Sequence, residues 1–221
     1  MSTCSTGKCD GSGWLWSDER SAMIPCKCQE TRRIERLFVD AKMPRRYQGA
    51  ALDNLSPALR DIVQEFAENA SPGKEPCALV LTGGTGVGKT YAAYAVVRRL
   101  LERGYPALSE SVPDLLETLR ANQLDEIGAQ RLYLTKTVAV LFLDDLAAHR
   151  QTEFVLERLF MILNARYNGL LPTIVTMNAD FAQVMKDSGI AALAWDRLFS
   201  RLREMAGTIH RLSGPDRRVA R

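Results

Sequence analysis

The chain has 221 residues, 46% of them hydrophobic and 25% charged, with a formal net charge of +3. This fits one α/β domain of ordinary size with a small appendage, has the balance expected of a soluble globular protein, and is too weakly charged to mark a nucleic-acid binder by itself. No apolar run approaches the ~18 residues of a membrane span, and "MSTCSTGKCDGSGWLW" lacks the basic and apolar regions of a secretory signal. A cytoplasmic protein with no membrane partner is expected.

Cys4, Cys9, Cys26 and Cys28 crowd the N-terminus as C-x4-C, sixteen residues, then C-x-C; Cys77 stands alone. In a reducing compartment paired cysteines bind metal more often than they form disulfides, and four thiolates complete a closed tetrahedral Zn²⁺ site. A segment this short cannot bury a core and needs such a staple to fold. Against zinc stand the loose spacing and the strained C-x-C chelate, which leave unmetallated thiols on a disordered leader as the other reading.

Residues 29–55, "QETRRIERLFVDAKMPRRYQGAALDNL", read as a charged and then turn-rich linker. A helix follows, with Ser56 as its cap and Pro57 in its first turn. Leu59, Ile62, Val63 and Phe66 line one face, and Ser71-Pro72-Gly73 ends it.

The next stretch, "ALVLTGGTGVGKTYAAYAVVRRL", carries the strongest signal. An apolar strand from Ala78 to Leu81 enters Gly83-Gly84-Thr85-Gly86-Val87-Gly88-Lys89-Thr90, and an amphipathic helix leaves it. This is G-x-x-x-x-G-K-[ST] in the strand–loop–helix setting of a P-loop. Glycines let the backbone N–H groups turn inward onto phosphates, and the helix N-terminus adds positive charge. Lys89 is then the ligand of the β- and γ-phosphates of ATP, and Thr90 a ligand of Mg²⁺.

Downstream, Val138 to Leu143 is an unbroken apolar run, as expected of a strand buried on both faces. It closes on Asp144 and Asp145. The first takes the Walker-B role toward Mg²⁺; the second orients or deprotonates the attacking water. Asp145 is one methylene shorter than the glutamate common at that place, which points to slow hydrolysis. "TEFVLERLFMILNARYNG" is a long helix, and "PTIVTMN" a third strand with a polar end at Thr176 and Asn178. Asn178 suits the sensor position of ring-forming ATPases; turn formation is the competing explanation. Strands alternating with helices give a parallel sheet covered on both faces, with ligands at the carboxyl ends of the strands. The final "HRLSGPDRRVAR" reads as a basic, solvated tail. His149 and His210 are isolated and receive no role.

From about Met43 to Arg218 the chain resembles the AAA+ ATPases of the bacterial and phage helicase-loader family, DnaC-like proteins, with IstB-like transposition ATPases as close relatives. The carriers are "GGTGVGKT", "SVPDLLETLR", "VLFLDDL", "LFMILNARYNGLLPTIVTMN" and "RLFSRL…GPDRR". The resemblance implies a P-loop AAA+ α/β fold without a C-terminal lid, divided into a zinc-binding segment 1–42 and an ATPase domain 43–221. It implies a weak, partner-stimulated ATPase that assembles with ATP on a DnaB-like replicative helicase and single-stranded DNA, the N-terminal segment making the helicase contact. It also implies an arginine acting on a neighbouring subunit's nucleotide: Arg201, with Arg197 behind it. An Arg201–Glu204 pair on a solvated helix is the plain alternative. Arg120 and Arg131 flank a region where initiator-type relatives carry a DNA-facing insertion; solvated charges are the favoured explanation of both. An IstB-like transposition helper, a small-molecule P-loop kinase and a non-hydrolysing ATP sensor remain as alternatives.

Overall fold

The computed structural model describes residues 4–121, 125–147, 152–187 and 191–217. His149 and Arg218 lie outside them. The core is a five-stranded parallel sheet in the order β4–β5–β6–β3–β7, built from β3 (Ala78–Gly83), β4 (Ala107–Ser111), β5 (Val140–Asp144), β6 (Thr173–Met177) and β7 (Ile209–Leu212). Successive side chains of a strand point to opposite faces, so each apolar strand feeds two cores. Leu79, Leu81, Phe142 and Ile174 join one, with Val63, Val96 and Val97 from α2 (Pro57–Asn69) and α3 (Lys89–Glu102). Val80, Leu141, Leu143 and Val175 join the other, with Leu116 of α4 (Val112–Ala121), Leu159 of α6 (Glu153–Asn168) and Phe199 of α8 (Ala192–Ala206). Helix α5 (Glu126–Thr137) bridges α4 and α6, and α7 (Phe181–Asp187) packs on α8. Among the described residues no helix is long and apolar enough to cross a membrane.

A small antiparallel hairpin, β1 (Trp14–Ser17) and β2 (Ala22–Pro25), precedes the sheet. The stretch read as a linker instead forms α1 (Lys27–Asp40) and two single 3-10 turns, Arg45–Tyr47 and Leu52–Asn54. Its charges hid an apolar stripe: Leu37 and Phe38 pack against the α2–α3 core, and Arg33 donates to the Gly104 carbonyl at 2.9 Å. Such docking gives a polar helix a partner that composition does not show.

Other expectations shift in detail. Helix α2 begins where predicted, with Leu59, Val63 and Phe66 buried. Ser56 stands at its N-cap, but its hydroxyl makes no capping bond and accepts instead from the Arg217 guanidinium at 3.4 Å. Strand β5 starts two residues later than its apolar run, because the Val138 N–H closes α5 on the Leu134 carbonyl at 2.9 Å. The basic tail is partly structured: Ile209 to Leu212 pair with β3, and the Arg217 N–H bonds the Gly86 carbonyl at 3.1 Å.

Candidate functional site

Strands β3, β5 and β6 end side by side, and their register brings the polar residues together: Leu81 faces Thr176, and Leu143 faces Val175. The loop after β3 turns through Gly86 at φ 78° and Gly88 at φ 105°, backbone that side-chain-bearing residues rarely adopt. Gly88 is the N-cap of α3, so Lys89 and Thr90 are its first two residues and stand where unpaired N–H groups concentrate positive potential.

Lys89 is only 6% exposed. Its Nζ donates to the carbonyls of Gly83 (2.9 Å) and Gly84 (2.7 Å) and to Oδ1 of Asn178 (2.9 Å). The Thr90 hydroxyl donates to Asp144 Oδ1 at 3.0 Å, and the Thr176 hydroxyl donates to the same oxygen at 2.5 Å. The Asp145 N–H donates to Thr176 Oγ1 at 3.0 Å, and Asn178 Nδ2 donates to Asp145 Oδ1 at 2.6 Å. Lys89, Asn178, Asp145, Thr176, Asp144 and Thr90 thus close a polar circuit across three strand ends. Each member orients the next.

Asp145 sits at φ 63°, a left-handed conformation that aspartate tolerates better than most residues. Burial, then the neighbouring Asp144 charge, raise its carboxyl above the ordinary aspartate range, and Lys89 partly offsets them. Such a carboxyl can take a proton more readily than a solvated one. The Thr90 hydroxyl and Asp144 carboxylate are adjacent hard oxygen donors, which fits Mg²⁺. The circuit member that sequence reasoning missed is Thr176, noted only as part of a polar strand end. Its signal was a hydroxyl next to the end of a buried strand.

The end of β7 and the residues after it also reach the loop. A side chain at Gly86 would collide with the Asp216 carboxylate, and one at Gly83 with the Leu212 carbonyl. The loop glycines therefore permit close packing by the C-terminal stretch as well as a phosphate cradle. Beside the loop lies a cavity of about 440 Å³, lined among others by Gly83, Gly84, Val87, Asn178, Gln183 and Arg211. Thr85 lies in the same loop as these glycines.

The four N-terminal thiols converge. All lie within 4.8 Å of one another, with Cys4–Cys26 at 3.9 Å and Cys9–Cys28 at 3.6 Å. A tetrahedron with Zn–S of about 2.3 Å has sulfur–sulfur edges of about 3.8 Å, between these two values. The residues fit zinc. The β1–β2 hairpin makes this possible: the Cys26 N–H bonds the Gly13 carbonyl at 2.7 Å, and Gln29 Nε2 bonds the same oxygen at 2.7 Å. Cys26 is the N-cap of α1 and Cys28 lies in its first turn; a hydrogen bond from Thr6 first lowers the Cys26 thiol, in the direction the helix N-terminus also favours. Hydrogen bonds, from Thr6 first, bring Cys4 down to about 5. Burial first, then the neighbouring thiols, push Cys28 up to about 12.

The late arginines stand apart from this circuit. Arg201, on α8, donates from Nε to Oδ1 of Asn164 on α6 at 2.8 Å, and Arg197 is exposed one turn before it. Glu204 accepts the Tyr167 hydroxyl at 2.6 Å. Of the two arginines suggested for DNA, Arg131 is ion-paired to the buried Glu110, and Arg120 lies over the Phe154 ring at 5.6 Å.

Residues 26–211 match the model of the IstB-like ATP binding protein family. Over 117 residues the chain is 30% identical to the replicative helicase loader DnaI of Bacillus subtilis (strain 168), covering 52% of this chain and 38% of that protein. Over 121 residues it is 35% identical to an ATP-binding protein of insertion sequence IS1162 from Pseudomonas fluorescens, covering 53% and 52%. The chain thus spans between about two-fifths and half of these curated relatives. A crystal structure of DnaI superposes with a TM-score of 0.69 at 30% identity, covering 80% of this chain and 94% of that one.

Proposed function

The chain belongs to the IstB-like ATP-binding family and has its AAA+ ATPase fold, and from that premise we propose that it is an ATP-dependent helicase loader in DNA replication. In this reading it assembles with ATP on a replicative helicase and single-stranded DNA, and hydrolyses slowly. The observation that carries the loader over its relatives is the converged four-thiol cluster in front of the ATPase fold. It resembles the zinc-binding N-terminal segments of some loaders and phage relatives, and its cysteines flank the β1–β2 hairpin. The similarity to DnaI points the same way.

Each site residue then has a task. The loop from Gly83 to Thr90 wraps the phosphates with backbone N–H groups. Lys89, now held by two carbonyls and an amide oxygen, exchanges those acceptors for the more negative β- and γ-phosphate oxygens. Thr90 and Asp144 hold Mg²⁺, which when bound neutralises charge on the phosphates. Asp145 takes the proton of the attacking water, and Asn178, already bonded to Asp145 and Lys89, holds that carboxylate beside the γ-phosphate side of the loop. Arg201 from a neighbouring copy completes the site, with Arg197 as the alternative. Cys4, Cys9, Cys26 and Cys28 hold Zn²⁺ and keep segment 1–42 folded for the helicase contact. DNA is gripped through its phosphates, and so in a salt-sensitive way.

The second reading is an insertion-sequence helper ATPase, favoured by the family matched and by the IS1162 relative. The experiment is ATP turnover of the full chain with and without single-stranded DNA and the replicative helicase from the same source. Stimulation by the helicase supports the loader. Stimulation by duplex DNA with indifference to helicase supports the helper, and fast turnover independent of both would reject either assembly role.

A further inference from the structure

Helices α6 and α8 pack side by side, and among the described residues the arginine that lies over two aromatic rings at once, Arg201, sits in the contact between them. Phe160, Asn164 and Tyr167 recur on α6 at i, i+4 and i+7, one face of the helix. Arg201 of α8 lies across that face. Its guanidinium carbon is 4.7 Å from the centre of the Phe160 ring and 5.6 Å from that of Tyr167, while Nε donates to Asn164 Oδ1 at 2.8 Å. The second ring is itself fixed, because the Tyr167 hydroxyl donates to Glu204 at 2.6 Å. Glu204 is thereby committed to Tyr167, and no Arg201–Glu204 ion pair forms among the described residues.

The chemistry of guanidinium gives this arrangement a consequence. Stacking on an aromatic ring leaves its in-plane N–H groups available, and Nε is the donor farthest from the tip. An arginine anchored through Nε and laid on rings has lost most of its rotamer freedom while keeping its two terminal amino groups for an outside acceptor. Among the described residues those two groups make no hydrogen bond or ion pair. Lysine cannot do both, since its single nitrogen is at once tip and anchor. Arg197 is exposed and lies outside the Phe160–Asn164–Tyr167 contact.

We propose that Asn164 is a positioning residue for Arg201: with Phe160 and Tyr167 it sets the plane of the guanidinium so that the terminal fork meets a polyphosphate held by a neighbouring copy of this chain. This rests on the reading that Arg201 acts in trans. It also selects Arg201 over Arg197 on structural grounds. Preorganised groups lose less freedom on reaching the transition state than mobile ones, so the anchor acts on turnover more than on binding.

The test is a double-mutant cycle on the full chain, reading kcat, KM for ATP and nucleotide affinity at a protein concentration where activity per subunit has reached its plateau. Arg201→Ala is expected to lower kcat at least a hundredfold, and Asn164→Ala about tenfold. In both, KM and ATP affinity should stay within about twofold, because the subunit's own loop is intact. In the Arg201→Ala background, Asn164→Ala should cost nothing further. Should Asn164→Ala fold poorly, Phe160→Leu keeps an apolar contact but removes the ring, and should lower kcat a fewfold with the same dependence on Arg201. A normal kcat for Asn164→Ala alongside a crippled Arg201→Ala overturns the positioning role, as does a loss that persists without Arg201. A normal kcat for Arg201→Ala overturns the trans-arginine reading itself, and this proposal with it.

Discussion

The sheet carries a buried cation at each end, and the two are held in opposite ways. At the carboxyl end Lys89 donates to two carbonyls of a glycine loop and to one side-chain amide. At the amino end Arg166 is fully buried and donates to Thr173 Oγ1 and to the carbonyls of Thr135, Val138, Ala139 and Pro172. Those carbonyls belong to the C-terminus of α5 and to the residues leading into β5 and β6; that of Pro172 also accepts the Leu141 N–H at 3.0 Å, while Arg166 supplies a donor to helix-end carbonyls that have no partner further along α5. Burial lowers the Arg166 pKa to about 9, still charged at neutral pH. A delocalised guanidinium with five donors suits a permanent, multiply satisfied position; a compact ammonium held by loop acceptors suits one that must exchange them. The contrast separates what builds the sheet from what works at its edge.

That contrast can be broken by substitution, starting where the effect is largest. Lys89→Ala should remove nucleotide binding below detection while leaving the thermal midpoint nearly unchanged; equilibrium titration with a labelled ATP analogue and a melting curve check both halves. Retained ATP affinity would sink the phosphate-loop assignment. Arg166→Met should do the reverse, costing about 3–5 kcal/mol of stability through several buried acceptors left without their donor while leaving ATP affinity intact in whatever fraction stays folded, as denaturant unfolding can measure. Equal effects of the two changes on stability would erase the distinction between the two cations.

Asp145 sharpens the working side of the comparison. Asp145→Asn should lower turnover at least a hundredfold with ATP binding retained; unchanged turnover would favour the non-hydrolysing sensor. Because burial and Asp144 raise the Asp145 carboxyl, the unprotonated base is lost as pH falls through that raised value. The acid limb of the turnover profile should therefore lie above the ordinary aspartate range, and the residual activity of Asp145→Asn should lack that limb. A limb at the ordinary aspartate position would show that another group takes the proton.

The smallest effect is expected at Ser56. A working N-cap is worth about 1 kcal/mol, but the Ser56 hydroxyl makes no capping bond and its contact with Arg217 is long. Ser56→Ala should cost less than about 0.5 kcal/mol. A larger loss would mean that the contact holding the C-terminal stretch over the loop contributes more than its geometry suggests.

Much of the fold was legible where chemistry is local. The strand at Ala78, the glycine loop, the buried run ending in two aspartates and the long helix in "TEFVLERLFMILNARYNG" all follow from patterns spanning fewer than about twenty residues. Helix α1 was missed because its charges dominate its composition, and its partly buried apolar residues have meaning only against α3. The last strand was missed for a related reason. "IHRL" is short and half polar, and it becomes a strand because β3 offers an unpaired edge.

The candidate site divides the same way. By itself the sequence determined the identities: which glycine loop carries the P-loop pattern, which two carboxylates close the apolar run of β5, which four thiols share one short segment. Those are requirements of bonding chemistry at fixed spacing, and covalent connectivity carries them. Only the tertiary structure decided how they meet. It inserted Thr176 between Asp144 and Asp145, bonded Asn178 to both Lys89 and Asp145, laid Arg201 on Phe160 and Tyr167, and spent Glu204 elsewhere. Each of those pairs joins residues more than thirty positions apart, apart from the adjacent carboxylates themselves, and only strand register and helix packing bring them within hydrogen-bonding or stacking distance.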